Sequence, residues 1–66
     1  MDLTQKAGVR IEHWIEHNED HAREYELFAQ ELSEAGKTES AQHLLDTAAL
    51  TAQSSESLRR ALKALK

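Results

Sequence analysis

The 66-residue sequence contains no cysteine, no proline and only two glycines. Without cysteine the chain cannot form a disulfide, a thiolate metal site or a thiol nucleophile. Because proline and glycine are the residues that interrupt helices, their scarcity favours long helices, and good helix formers such as alanine, leucine and glutamate dominate. A chain this short forms one domain with a marginal core, which a metal or a partner subunit usually reinforces.

Long apolar runs are also missing. No run approaches the roughly 18–20 residues needed to cross a membrane. The first ten residues, MDLTQKAGVR, lack the basic and then apolar order of a secretory signal. The sequence therefore predicts a small cytoplasmic protein with no membrane span.

Charge of one sign dominates the first half of the chain. Residues 8–35 contain eight acidic and two basic residues, a net charge of −6, whereas residues 37–66 carry a net charge of +2. The acidic half argues against nucleic acid as a partner. The two halves should instead attract each other.

The segment EAGKTES at 34–40 is the one clear interruption of the helical pattern. Gly36 suits the left-handed position after a helix end, and Thr38 is a suitable N-cap. Gly8 and the polar residues 4–6 predict a loosely ordered leader over residues 1–8, and a hairpin domain is expected over 9–66. Its helices should span 9–35 and 38–65, run antiparallel and be joined by a turn at 36–37.

Each predicted helix carries an apolar stripe at heptad spacing. On the first helix the stripe contains Ile11, Trp14, Asn18, His21, Tyr25, Phe28, Leu32 and Ala35, widened by Ile15, Ala22 and Ala29. On the second helix it contains Ala41, Leu44, Ala48, Thr51, Ser55, Leu58, Leu62 and Leu65, widened by Leu45 and Ala52. Such wide stripes are typical of helices that face a bundle core.

The expected antiparallel pairing sets approximate neighbours across the hairpin. It places Phe28 opposite Leu45 and Asn18 opposite Ser55, and it brings Arg59 close to Glu12 and Glu16. Two helices cannot cover both stripes, and exposed apolar surface of this kind marks association. The fold prediction is therefore an all-α antiparallel two-helix hairpin that forms a homodimer, a four-helix bundle, with docking onto a larger protein as the alternative. The expected interface consists of Ile11, Trp14, Ile15, Tyr25, Phe28, Leu44, Leu45, Leu58 and Leu62.

An acid precedes a histidine three times at four-residue steps in IEHWIEHNEDHAREYE, residues 11–26. Two histidines spaced i, i+4 on a helix can bind one metal ion, and neighbouring carboxylates can complete or orient the site. Imidazole with carboxylate suits a transition metal such as zinc, nickel or cobalt. The candidate ligands are His13, His17, His21, Glu16 and Glu24. The alternative is an ordinary solvated row of acids and histidines. His43 would lie opposite Gln30, roughly 13 Å from His21 along the hairpin, and is expected to be a surface residue.

Polar residues also occupy predicted core positions. Asn18 and His21 on the first helix lie opposite Thr51 and Ser55 on the second. A polar layer of this kind sets register and subunit pairing in coiled coils. A buried histidine in it would make a dimer sensitive to pH.

The remaining sequence features give no indication of catalysis. The basic C-terminal segment ESLRRALKALK is typical of a helix end that complements the macrodipole. The serines and threonines of the second helix lack a neighbouring base, and a hairpin offers no enzyme-sized pocket. We therefore expect no enzymatic activity and no organic cofactor.

Residues 13–26, HWIEHNEDHAREYE, together with Ala35–Gly36 and a second helix rich in leucine and alanine, resemble a family of short prokaryotic proteins and domains of unknown function. These share the motif H-W-x-E-H-N-x-x-H-A-x-E. The resemblance implies a helical hairpin and implies that the motif residues act as a set. They are His13, Trp14, Glu16, His17, Asn18, His21, Ala22 and Glu24.

The functional prediction is a small non-enzymatic hairpin whose histidine and carboxylate face binds a transition metal or senses pH. The first alternative is a protein–protein interaction module that uses its apolar helix face, with incidental histidines. The second alternative is a nucleic-acid regulator built on a dimeric bundle, which the acidic first helix disfavours.

Overall fold

A computed structural model describes residues 1–65 as two antiparallel helices, α1 over Leu3–Glu34 and α2 over Thr38–Ala64. The helices pack side by side along their length, and the Cα atoms extend over 51 × 16 × 10 Å. The predicted all-α hairpin is confirmed. Neither α1 nor α2 is long and apolar enough to cross a membrane.

Helix α1 begins six residues earlier than the predicted start at residue 9. The Asp2 side chain accepts a hydrogen bond from the Gln5 backbone N–H at 2.8 Å, and the Gln5 side chain accepts one from the Asp2 N–H at 3.2 Å. This capping box satisfies two backbone donors at the helix start. The expected loose leader over residues 1–8 is therefore wrong from Leu3 onward, because the cap outweighs the interruption expected at Gly8.

The turn between the helices follows the prediction at Gly36, which has a φ of 81°. The Lys37 N–H donates to the Leu32 carbonyl at 2.8 Å, and the Gly36 N–H donates to the Ser33 carbonyl at 3.0 Å. These two bonds form a Schellman motif, which satisfies carbonyls left free at a helix end. Thr38 is the first helical residue rather than the N-cap, a position that Lys37 occupies without a side-chain bond.

The face of α2 that packs on α1 is the predicted stripe. Every one of its eight heptad positions is buried or half-buried, and the flanking Leu45 and Ala52 are exposed. On α1 the packed face is one side of the predicted, widened stripe, and Trp14, Phe28 and Ala35 on its other side are exposed. The residues that pack on α2 are Ile11, Ile15, Asn18, Ala22, Tyr25, Ala29 and Leu32, all buried or half-buried.

Small side chains line the contact between the helices. The buried apolar residues are Ile11, Ala29, Ala41 and Ala48. Within residues 1–65, no large side chain is fully buried. Alanine lets the helices approach closely, but it contributes little apolar area, so the hairpin alone has a small core.

The predicted pairing of Arg59 with Glu12 and Glu16 is wrong. The Arg59 guanidinium contacts Glu19 across the hairpin at 3.3 Å and Glu56 on its own helix at 3.7 Å. All three side chains are largely exposed, so these pairs contribute at most about 1 kcal/mol each. The Glu19–Arg59 pair nonetheless identifies which sides of the two helices are adjacent.

Candidate functional site

The three histidines of α1 form a continuous row of rings with Tyr25. The centroids of the His13 and His17 rings are 5.3 Å apart and meet edge to face. His17 stacks on His21 at 4.9 Å with an interplanar angle of 9°, and His21 stacks on Tyr25 at 6.0 Å. Residues four apart advance about 40° around a helix, so the row winds from solvent at His13 to the half-buried Tyr25.

The candidate carboxylate ligands lie beside this row without closing a site. Glu16 and Glu24 are both exposed. Asp20, between them, is paired with Arg23. In residues 1–65 of a single chain, no three His, Asp or Glu side chains come together where they could hold a metal ion. The histidine row therefore presents two or three imidazoles on one side of α1. A complete metal site would need further ligands from outside these residues.

The polar residues expected in the core lie at the middle of the hairpin, in a different pairing. The Asn18 side-chain amide donates to the hydroxyl of Ser54 at 3.4 Å, not to Ser55. The Thr51 hydroxyl donates to the Thr47 carbonyl of its own helix at 2.8 Å. Ser55 is buried at 3% exposure, and its hydroxyl has no hydrogen-bond partner within residues 1–65.

The two open sides of the hairpin differ in charge. One side, the charged face, holds the Glu19–Arg59 pair and a shallow groove near the turn that includes Glu26 and Leu45. Residues seven apart share a side of a helix, so Glu12 lies on this face of α1 as well. Leu45, a predicted interface residue that is 44% exposed, therefore lies on the charged face.

The opposite side, the uncharged face, is made of apolar and neutral polar residues. Trp14 lies five residues before Glu19 and so about 140° away around α1. Trp14 and Phe28 are 47% and 54% exposed. The α1 residues of this face are Trp14, Asn18, His21, Tyr25, Phe28 and Leu32. The α2 residues are Leu44, Thr47, Thr51, Ser54, Leu58 and Ala61.

The prediction that Phe28 faces Leu45 is therefore wrong, because the two residues lie on opposite faces. The other predicted interface residues divide into two groups. Ile11, Ile15 and Leu62 pack mainly within the hairpin. Tyr25, Leu44 and Leu58 are half-buried at the margin of the uncharged face, where a second layer could cover them.

Sequence reasoning identified His17 and Glu24 as candidate ligands but missed the edge that they share with Arg10 and Glu31. This set, Arg10, His17, Glu24 and Glu31, is the α1 edge. These four residues recur at seven-residue intervals and flank the uncharged face on its outer side. All four are exposed. The spacing could have been found from the heptad pattern, but the position of the edge depends on which side of α1 is covered by α2.

A family model for a domain of unknown function, DUF8180, matches residues 7–65. The chain belongs to this family, whose description assigns no activity. The matched segment includes the whole histidine row. Neither the curated proteins nor the solved structures contain a significant match to the chain.

Proposed function

We propose that the chain is a non-enzymatic interaction module that pairs with a second copy of itself through the uncharged face, forming a four-helix bundle. One observation carries this proposal: the uncharged face exposes Trp14 and Phe28 among neutral residues, while the charged face holds the Glu19–Arg59 ion pair. A face without charge on an otherwise highly charged protein is typical of a surface that a further layer covers.

The small core of the hairpin supports the same proposal. Alanines form most of the buried apolar set, and the large residues of the uncharged face are only half covered. Chains of this size commonly need association to be stable. A second hairpin on the uncharged face would bury Trp14, Phe28 and Leu44, and each large apolar side chain contributes about 1.5–3 kcal/mol when fully buried.

The charges of the α1 edge favour a second copy as the occupant. In an antiparallel pair of identical helices, residues at one edge meet their counterparts so that their numbers add to a constant. With a sum of 41, Arg10 lies beside Glu31 of the second copy, and His17 lies beside Glu24 of the second copy. Every such pair joins a basic or imidazole group to a carboxylate, and none joins like charges.

The apolar residues fit a register that differs from that of the edge by one residue, about 1.5 Å along the helix axis. With a sum of 42, Trp14 lies opposite Phe28 of the second copy, and His21 lies opposite His21 of the second copy. The neutral polar residues Asn18 and Ser54 then lie at the middle of the uncharged face, between two apolar ends. A pattern that is apolar, polar and apolar along one face is self-complementary under a two-fold rotation, as an isologous dimer requires.

Transition-metal binding or pH sensing by the helix 1 histidines is a second candidate function. The supporting observation is the row of rings, in which His13, His17 and His21 contact one another in sequence at 4.9–5.3 Å. Rings this close allow two imidazoles to share one ion, with Glu16 or Glu24 as neighbouring carboxylates. A positive charge on one ring would also repel a positive charge on the next ring.

Phe28 and Leu45 offer a matched test of the dimer, because these two apolar residues lie on opposite faces with similar exposure, 54% and 44%. We expect sedimentation equilibrium of the metal-free chain to give about twice the 7.5 kDa chain mass. Phe28→Lys should give the monomer, since two buried lysines cost about 2 kcal/mol each and raise the dimer Kd about a thousandfold.

Leu45→Lys is the control and should remain dimeric, with helical circular dichroism unchanged in both variants. A monomeric wild-type chain would contradict the proposal and indicate a different protein as the occupant. A dimer that Leu45→Lys disrupts and Phe28→Lys leaves intact would place the interface on the charged face.

A further inference from the structure

We propose that the dimer binds a first-row transition-metal ion, such as Zn²⁺, between His17 and His21 of one chain and Glu24 of the second copy. The two-fold rotation creates two equivalent sites, so the dimer binds one ion per chain. This inference rests on the proposed dimer. It assigns the third ligand and the stoichiometry, neither of which follows from the histidine row alone.

The imidazole pair is almost in position. His17 and His21 are spaced i, i+4, and their ring centroids are 4.9 Å apart. Zinc–nitrogen bonds of about 2.0–2.1 Å in a tetrahedral site place two ligand nitrogens about 3.4 Å apart. The rings therefore need only a rotation about their side-chain bonds. His17 is exposed and His21 half-buried, so there is room at the open side of the stack.

Within residues 1–65 of one chain, no third ligand is in place beside the histidine pair. Glu24 of the same chain is three residues from His21, but it is seven residues and about 10.5 Å along the axis from His17. Glu16 is adjacent to His17 in sequence and so points about 100° away from it around the helix. Asp20 is paired with Arg23. These positions agree with the absence, over residues 1–65 of one chain, of any three-ligand group able to hold a metal.

The register of the dimer supplies the missing carboxylate. Along the α1 edge, Glu24 of the second copy lies beside His17, and it is an exposed residue with no salt bridge within residues 1–65. Two imidazoles and one carboxylate form a ligand set that zinc accepts, with water in the fourth position. Two divalent cations would also offset half of the dimer's charge, since each chain carries −4.

His13 and His43 are outside the proposed site. His13 is exposed at the outer end of the row and meets His17 edge to face. His43 lies on α2 beside Asp46, with a nitrogen–oxygen distance of 4.0 Å. Both histidines serve as internal references, because a specific site leaves the signals of His43 unchanged and changes those of His13 less than those of its two neighbours.

The test is a titration of the metal-stripped chain with Zn²⁺ alone, by calorimetry and by NMR of the histidine side chains, with the mass followed by sedimentation. We expect one ion per chain and shifts at His17 and His21. Loss of a group that hydrogen-bonds to a metal ligand weakens metal binding by about 10–100-fold, so loss of a direct ligand in Glu24→Gln should weaken it at least about a hundredfold. Glu12→Gln, which removes an exposed carboxylate on the charged face outside the proposed interface, is the matched control and should bind Zn²⁺ like the wild type.

The Phe28→Lys chain separates a site between subunits from a site within one chain, because it retains every proposed ligand and lacks the dimer. Loss of Zn²⁺ binding in this variant would support the inference. Equal binding by this monomer, or a wild-type dimer that binds no Zn²⁺ or shifts all four histidines alike, would overturn the inference and leave the proposed dimer standing. A wild-type chain that stays monomeric with and without Zn²⁺ would overturn both.

Discussion

At the scale of single residues, alanines determine how closely the two helices pack. Ala29, Ala41 and Ala48 are 2%, 5% and 6% exposed, and Ser55 continues the α2 series at the same heptad position. Serine in place of alanine adds a hydroxyl that, within residues 1–65, is buried without a partner. An unsatisfied buried hydroxyl costs about 1–3 kcal/mol, so this position weakens the hairpin.

Ser55→Ala should therefore stabilise the protein. Removing the hydroxyl leaves the packing intact and should raise the free energy of unfolding by about 1 kcal/mol, or the Tm by about 4–8 °C in a chain of this size. Thermal denaturation at a fixed protein concentration measures the change. Ser57→Ala, at an exposed position of the same helix, shows how much of the gain in stability comes from helix propensity alone. An equal or larger gain in that control would contradict the assignment of the cost to burial.

The sequence predicts most of the packed residues, since every α1 residue that packs on α2 belongs to the widened stripe. The heptad spacing also predicts Trp14, His21 and Phe28 in the hairpin core. Instead, Ala22 and Ala29 face α2, because two helices in close contact need small residues between them. Hydrophobicity shows that a helix has a wide apolar stripe, but it does not show which half of the stripe the neighbouring helix in the same chain covers.

At the scale of the elements, short-range signals explain where the helices begin and end. Gly36 predicted the turn correctly, because its left-handed backbone conformation is one that other residues rarely adopt. Gly8 suggested an interruption that does not occur, since α1 runs through it from Leu3. The Asp2 and Gln5 capping box was visible in the sequence as an N-cap residue followed three positions later by a glutamine, and it outweighs one glycine.

The two glycines should respond in opposite directions to replacement by alanine. A Cβ at either position meets no atom within 4 Å, so only backbone conformation distinguishes them. Gly36→Ala should lower the free energy of unfolding by about 1–2 kcal/mol because φ is 81°. Gly8→Ala should raise it by about 0.5–1 kcal/mol because the residue is helical. Urea denaturation measures both, and a destabilising Gly8→Ala would show that the start of α1 is not helical in solution.

At the scale of the whole molecule, charge distinguishes the two open sides of the hairpin, and we propose that a second copy covers the uncharged face. The Glu19–Arg59 pair joins the helices on the charged face. The uncharged face carries Trp14 and Phe28 and is flanked by the α1 edge. The sequence predicted that some apolar surface would remain uncovered. It could not predict that Leu45 lies on the other face, because that depends on the rotation of each helix about its axis.

The histidine row was fully visible in the sequence, whereas the proposed third ligand was not assignable from it. The i, i+4 spacing of His17 and His21 fixes their proximity on any helix. The role of Glu24 depends on the register between two chains, and the sequence alone allows several registers. The α1 edge narrows that choice because only certain registers place Arg10 and His17 beside carboxylates.

The central claim is that two copies of α1 pair antiparallel with Trp14 opposite Phe28 of the second copy. The chain has one tryptophan and one phenylalanine, and in a single α1 these residues are about 21 Å apart along the helix axis. A nuclear Overhauser effect between the two rings therefore has to arise between chains. We predict this cross-peak in the metal-free protein, and we predict that it persists in isotope-filtered spectra of mixed labelled and unlabelled chains. A dimer without the cross-peak, or a monomer, would contradict the account.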